Sequence, residues 1–383
     1  MRTSPSILKK AHISSLAFPT ITIALLVSGC GGSSGSSSGT TPPSNGQNIT
    51  VYIVGAASAP EEWQLASSSS TPLLTALPVP SGATGNTSSG IAVSGSNVYV
   101  SGWVNGGSGN NAAVYWVNGT LQTLPTPSGT TGAMATGIAV SGSNVYVSGL
   151  VDNNSTGGAV YWANGTMQTL PSPSGTTGAA ATGIAVSGSN VYVAGYASLP
   201  TNNETVGVYW VNGTPETLPS PSGTTNAYTT AITISGSDVY VAGYTYNNNS
   251  AGNESAVYWV NGTLEVLPSP NSMTSAEAYA IAVSGNNVYV AGYTYNTTSP
   301  AERGTAAYWL NGTLETLPLP NGMTYSAANG IAVSGSNVYV AGYAYNISNS
   351  TESAAYWVNG TPELLASPSG TTSAVANAIA VSP

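Results

Sequence analysis

The sequence predicts an all-β protein, a seven-bladed β-propeller built from four-stranded antiparallel blades. Three observations carry this. A unit of about 48 residues recurs seven times between Val51 and Pro383, each unit holds four short strand-like runs, and the phase of the repeat is split between the two ends of the chain. Self-similarity at a fixed period of this length belongs to propellers, solenoids and arrays.

The four runs are clearest in the fourth unit, at Ile184 to Val186, Val191 to Tyr196, Val208 to Val211 and Thr214 to Leu218. They are rich in Val, Ile, Tyr and Trp and have no helical period, so they read as strands. Four strands per unit is a propeller blade. Between the third and fourth runs stands Asn-Gly, at Asn118, Asn164, Asn212, Asn261, Asn311 and Asn359. That pair supplies the positive φ angles of a two-residue type I′ hairpin. The first and second runs are joined by Ser-Gly-Ser-Asn or a close variant, an equally short link.

Blade number follows from the anchors. The second strand begins at Val51, Val98, Val145, Val191, Val239, Val288 and Val338, and the first-strand Ile stands at Ile91, Ile138, Ile184, Ile232, Ile281, Ile331 and Ile379. The repeat region opens on a second strand and ends on an unaccompanied first strand, Ile379 to Ser382. Pairing of that last strand with the opening one would close the ring and leave no exposed sheet edge. A solenoid would need polar capping repeats, and the end units carry none.

Residues 1–29 read as a signal peptide: Arg2, Lys9 and Lys10 precede an apolar stretch from about Ile13 to Val27. Val27-Ser-Gly-Cys30 resembles the bacterial lipobox, with Val where Leu is usual, which implies lipidation of Cys30, the only cysteine. Residues 30–47, Cys30 followed by a stretch mostly of Ser, Gly, Thr and Pro without charge, read as a tether, and 48–383 as the propeller. Gly31 after the lipid-bearing Cys implies the outer membrane, so the expected location is the bacterial cell envelope, at the outer membrane or cell surface.

Composition removes most chemistry. Three of the four Lys and Arg, together with His12, fall in the signal peptide, leaving Arg303 alone. Without Lys or His, a Ser-His-Asp triad, a Schiff-base lysine and a His or Cys zinc site are excluded from the mature chain. One arginine cannot supply a sialidase-like cluster. Thirteen carboxylates against that arginine leave a net charge near −12, which disfavours nucleic acid and acidic partners. No cofactor is expected.

Carboxylate chemistry survives, as a glycosidase or lyase or a calcium site. Glu216, Glu265, Glu315 and Glu363 share one position on the outer strand, where Gln122 and Gln168 stand in two other blades. A solvated, aggregation-blocking edge explains them better than catalysis. Glu61 and Glu62 are read as solvated, Asp152 to Thr156 as a weak calcium-loop candidate, and Asp238 as a turn residue. The Asn-Gly-Thr triplets match the glycosylation sequon but read as turns. Trp116, Trp162, Trp210, Trp259, Trp309 and Trp357, with Trp63 as the first-blade equivalent, are expected to pack between blades.

In a meander, the fixed tight turns share one face of the disc. The variable connections emerge on the other: Ala197 to Thr205, Thr245 to Glu254 and Thr294 to Thr305. Function concentrates in such loops. Where the second strand runs into them stand Tyr196, Tyr244, Tyr246, Tyr293, Tyr295, Tyr343 and Tyr345, with Trp103 at the corresponding place in the second blade. These are the candidate ligand-binding residues, suited to stacking on sugar rings. The competing reading is that they pack between blades.

Val239-Tyr-Val-Ala-Gly243 followed by Val257-Tyr-Trp-Val-Asn-Gly-Thr-Leu-Glu-Val-Leu267 resembles bacterial extracellular propeller repeats of the HAF type, without the His-Ala-Phe element that names them. The resemblance implies surface location and no defined activity. The expectation is therefore a non-enzymatic, lipid-anchored, monomeric module that binds a polysaccharide or a protein partner through the variable face. The alternative is a carboxylate-dependent glycosidase or polysaccharide lyase.

Overall fold

The computed structural model describes residues 49–382 apart from 58, 67–71, 84, 107–109, 153–156, 201–203, 249–253, 271–272 and 297–303. Cys30 and the segments read as signal peptide and tether lie outside the described residues, as do Arg303 and most of the proposed calcium loop. Every regular element described is a strand. No helix among the described residues is long and apolar enough to cross a membrane.

The strands form seven four-stranded antiparallel units, two of them fused into one sheet by a parallel bridge between Thr205 and Asn226. The innermost strands pack on one another in a closed cycle. In the first blade the innermost strand is the C-terminal one, Val375–Ser382, paired antiparallel with Thr50–Ala56. The phase split at the chain ends is thus the ring's closure, and it satisfies what would otherwise be two open edges.

The tight turns have the expected chemistry. Asn212 and Gly213 have φ of 51° and 84°, a type I′ pair, and the other five Asn-Gly turns match. Each turn Asn also reaches the neighbouring hairpin: Asn212 Nδ2 donates to Asn190 Oδ1 at 2.8 Å, and Asn212 Oδ1 accepts from Val191 N at 2.9 Å. In the fifth blade the acceptor is Asp238, at 2.9 Å from Asn261 Nδ2, so Asp238 does the turn Asn's work.

Blades adhere through repeated contacts. All seven expected tryptophans are fully buried, each with its indole N–H on a carbonyl of the preceding blade's last connection. Trp210 donates to Pro171 O at 2.8 Å, and Trp63 to Ala366 O at 2.7 Å, joining first blade to last. Around Trp210, Val208 packs on Leu170, Ala139 and Ala159 of the third blade.

A second belt runs nearer the axis. Every innermost strand is bulged two residues before its anchoring Ile, where the register skips Ser89, Thr136, Thr182, Thr230, Tyr279, Asn329 or Asn377. The bulge leaves backbone groups unpaired, and polar side chains there reach the next blade. Thr230 Oγ1 donates toward Ala278 O at 2.9 Å, Asn329 Nδ2 to Ala376 O at 3.0 Å, and Asn377 Nδ2 to Ser88 O at 2.8 Å.

The bulge also explains the glycine within each second strand, such as Gly195 in Asn190–Ser198. A Cβ on Gly195 would fall on the Ala180 carbonyl and within 2.8 Å of Trp210 Cζ3. Gly195→Ala is expected to lower stability by about 1–3 kcal/mol, read as a fall in thermal midpoint; an unchanged midpoint would show that the bulge gives way freely.

Two expectations need correction. The innermost strand is longer than Ile184 to Val186: it runs from Gly178 to Ser187, and its counterparts begin equally early. Likewise the second strands continue through Ser198, Tyr246 and Tyr295, so the variable connections are shorter than read. Second, Glu61 is not solvated. It is 1% exposed on the third strand of the first blade, Pro60–Ala66, and its Oε2 is buried with no hydrogen-bond partner among the described residues. The pleat places it on the Trp63 side of the strand, where Val114, Val160, Val208 and Val257 stand in other blades.

Candidate functional site

The lengthened innermost strands bring new residues to the variable face. Four positions before the anchoring Ile, most blades have a small, aliphatic or hydroxyl side chain, but the fifth has Tyr228 and the sixth Glu277. Register sets Tyr228 opposite Tyr244 and Glu277 opposite Tyr293. In the seventh blade, Tyr325 opens the innermost strand opposite Tyr345.

These residues knit the candidate tyrosines into an array. Tyr196 of the fourth blade meets Tyr228 of the fifth, with ring centroids 4.7 Å apart. Tyr228 stacks on Tyr244 at 5.5 Å and on Tyr246 at 6.0 Å. Tyr244 then meets the edge of Tyr279 in the sixth blade at 6.4 Å, and Tyr279 stacks on Tyr293, itself stacked on Tyr295 at 4.9 Å. A separate cluster in the seventh blade joins Tyr325, Tyr343 and Tyr345. Trp103 lies across the disc in the second blade, opposite Thr87, outside these ring contacts.

The rings do pack between blades, at the contacts of Tyr196 with Tyr228 and of Tyr244 with Tyr279. They are not consumed by that packing: Tyr196, Tyr228, Tyr244, Tyr246, Tyr293 and Tyr295 are each half-buried, and only Tyr279 is fully buried. The packing reading therefore holds at those two contacts, and the six half-buried rings keep part of their surface exposed.

At its centre is Glu277. Tyr279 donates to Oε2 at 2.6 Å, while Tyr293 and Tyr295 donate to Oε1 at 3.1 and 3.0 Å. Burial raises its pKa from the ordinary carboxylate value, against the lowering effect of the three phenols; Glu254 adds a smaller rise by like-charge repulsion. Glu254 is held in turn by Ser275 Oγ at 2.9 Å. Burial also pushes Tyr196 and Tyr343 up to about 12 and Tyr244, Tyr246, Tyr293 and Tyr295 well above the usual phenol value.

The chemistry this permits is narrow. Phenols with raised pKa are neutral at pH 7, so they stack and hydrogen-bond but do not act as bases. Among the described residues there is no Lys, Arg or His and no group of three or more metal-ligating side chains. The outer-strand carboxylates stay at the rim: Glu216 is exposed and accepts from Tyr209 at 2.6 Å, and Glu363 accepts from Tyr356 at 2.7 Å.

Glu277, Tyr228, Tyr279 and Tyr325 were not singled out from the sequence. Their signal is positional. Aligning the units on the anchoring Ile shows Tyr and Glu breaking a column otherwise filled by Thr87, Met134, Ala180, Ala327 and Val375.

No family model matches the chain, and no curated protein does. Similar solved structures include the acylaminoacyl peptidase of Pyrococcus horikoshii, at 10% identity over 86% of this chain and 52% of that one, TM-score 0.48. Others are the β-propeller domain of the Trilobed protease from Pyrococcus furiosus (10% identity, 84% of this chain, 95% of that one, TM-score 0.47) and the BP39L lectin from Burkholderia pseudomallei (14%, 83%, 96%, 0.48). The chain spans about half the length of the acylaminoacyl peptidase.

Proposed function

We propose that this chain is a non-enzymatic binding module of the bacterial cell envelope, anchored through lipidated Cys30, that holds a polysaccharide on the tyrosine array. The observation that carries the reading is the run of half-buried rings from Tyr196 to Tyr295 on the variable face. Neutral aromatic faces suit the apolar faces of sugar rings, and phenol, Asn and Thr groups around them suit hydroxyls. Hydrolysis or elimination fits poorly, because Glu277 is already held by three phenol hydrogen bonds and the neighbouring tyrosines are too weakly acidic to serve as bases. The blade phrase's likeness to HAF-type extracellular repeats agrees with a surface location.

The test is a glycan array probed with the soluble chain from Asn48 onward, beside its Tyr244→Ala, Tyr293→Ala double variant. Losing two stacking rings, each worth about 0.5–1.5 kcal/mol, is expected to weaken binding roughly 10- to 100-fold with the circular dichroism unchanged. Binding that survives the double variant would remove the array from the ligand site. Silence across the array, with salt-sensitive capture of a basic protein instead, would move the partner to protein.

A further inference from the structure

Glu277 is an odd residue for a surface that binds only neutral sugar. It is a carboxylate set among rings, it is partly desolvated, and no cation stands near it among the described residues. The chain's one arginine after its first 30 residues, Arg303, lies outside the described residues. A carboxylate offers about four acceptor sites, and the hydroxyls of Tyr279, Tyr293 and Tyr295 fill three of them, two on Oε1 and one on Oε2. Among the described residues, one site on Oε2 has no donor. Beside it stand Tyr244 and Tyr293, both half-buried members of the ring array, and aromatic π-systems attract cations.

Building on the polysaccharide reading, we infer that Glu277 and its tyrosines form a subsite for a protonated amine, and that the ligand is a glycan carrying free amino groups. An ammonium N–H would complete the carboxylate's shell with a charge-assisted bond while its C–H neighbours lie on the rings. An N-acetylated sugar would bring a neutral amide to the same place and leave the carboxylate charge unbalanced. An anionic glycan would be repelled, both by Glu277 and by Glu254 beside it.

The experiment compares short β-1,4-linked glucosamine oligomers with N-acetylglucosamine oligomers of equal length, by calorimetry on the soluble chain at pH 6 and moderate salt. Wild type is expected to prefer the free amine by about tenfold or more. Glu277→Gln is expected to abolish that preference while retaining the fold, and Glu216→Gln, which removes one outer-strand charge, to leave it intact. Equal binding of both oligomers by wild type overturns the inference without any variant, as does a preference that Glu277→Gln keeps or Glu216→Gln loses. If neither oligomer binds but other neutral glycans do, the amine subsite fails and the polysaccharide reading stands. If no sugar binds at all, both fail.

Discussion

Trp63→Ala is expected to lower the stability of the ring by about 3–5 kcal/mol and to speed its unfolding. The indole is fully buried between the first and seventh blades, in a cluster with Ile53, Tyr339, Ala354, Leu365 and Ile379, and truncation removes both its volume and its N–H bond to Ala366 O. The same local loss is expected at Trp210, buried equally between the third and fourth blades. The two variants differ in what the contact joins. Trp63 clasps residues 303 apart in sequence, at the one seam where the ring is closed by pairing of chain ends. Opening there detaches the Val375–Ser382 strand without unthreading any blade, so Trp63→Ala raises the unfolding rate more than Trp210→Ala for a similar equilibrium loss. Trp63→Phe keeps most of the packing and isolates the hydrogen bond, with a cost near 1 kcal/mol. Unfolding followed by tyrosine fluorescence and circular dichroism decides it. An unchanged midpoint in either alanine variant would remove these residues from the inter-blade core, and equal unfolding rates would show that the seam is no weaker than any other junction.

The fold was legible because its punctuation is chemical. Asn-Gly turns, Val and Ile anchors and a phase split across the chain ends each have one geometric meaning, and together they specify blade number, strand order and closure. The innermost strands were legible only at their Ile-Ala-Val ends. Upstream, segments such as Gly178-Ala-Ala-Ala-Thr-Gly183 have little intrinsic strand preference; pairing with the second strand and the polar belt at the bulge hold them extended. Residues on that hidden half, Tyr228, Glu277 and Tyr279 among them, lie upstream of the legible Ile-Ala-Val run, so the sequence shows the array from one side only. Glu61 was misread for a different reason. A pair of acidic residues looks solvated by composition, yet Trp63 two positions on already sets the strand's phase, and a residue two before a buried indole shares its face.

That misreading exposes the second large effect, a loss of stability with rising pH that Glu61→Val removes. Burial raises the Glu61 carboxyl from its ordinary 4.5 to about 7, because the charged form gives up water while its Oε2 has no hydrogen-bond partner among the described residues. A carboxyl whose folded pKa lies above its unfolded one binds its proton more tightly when folded. Its contribution is therefore most favourable below pH 4.5, where both states are protonated, and is lost as pH rises through 7, where the folded state must ionise a buried group. The span of about 2.5 units corresponds to roughly 3 kcal/mol. Glu62 and Glu277, also raised by burial, add slopes of the same sign, so the substitution rather than the wild-type profile isolates Glu61. Valine is the side chain this position holds in four other blades, so it is the apolar residue that the repeat itself uses there. Glu61→Val is expected to be near wild type at pH 4.5 and more stable by about 3 kcal/mol at pH 8, measured by urea unfolding at the two values. A variant no more stable than wild type at pH 8 would mean that Glu61 finds a partner once ionised, and the closing junction of the first and seventh blades would then be held by that partner instead of strained by an unpaired charge.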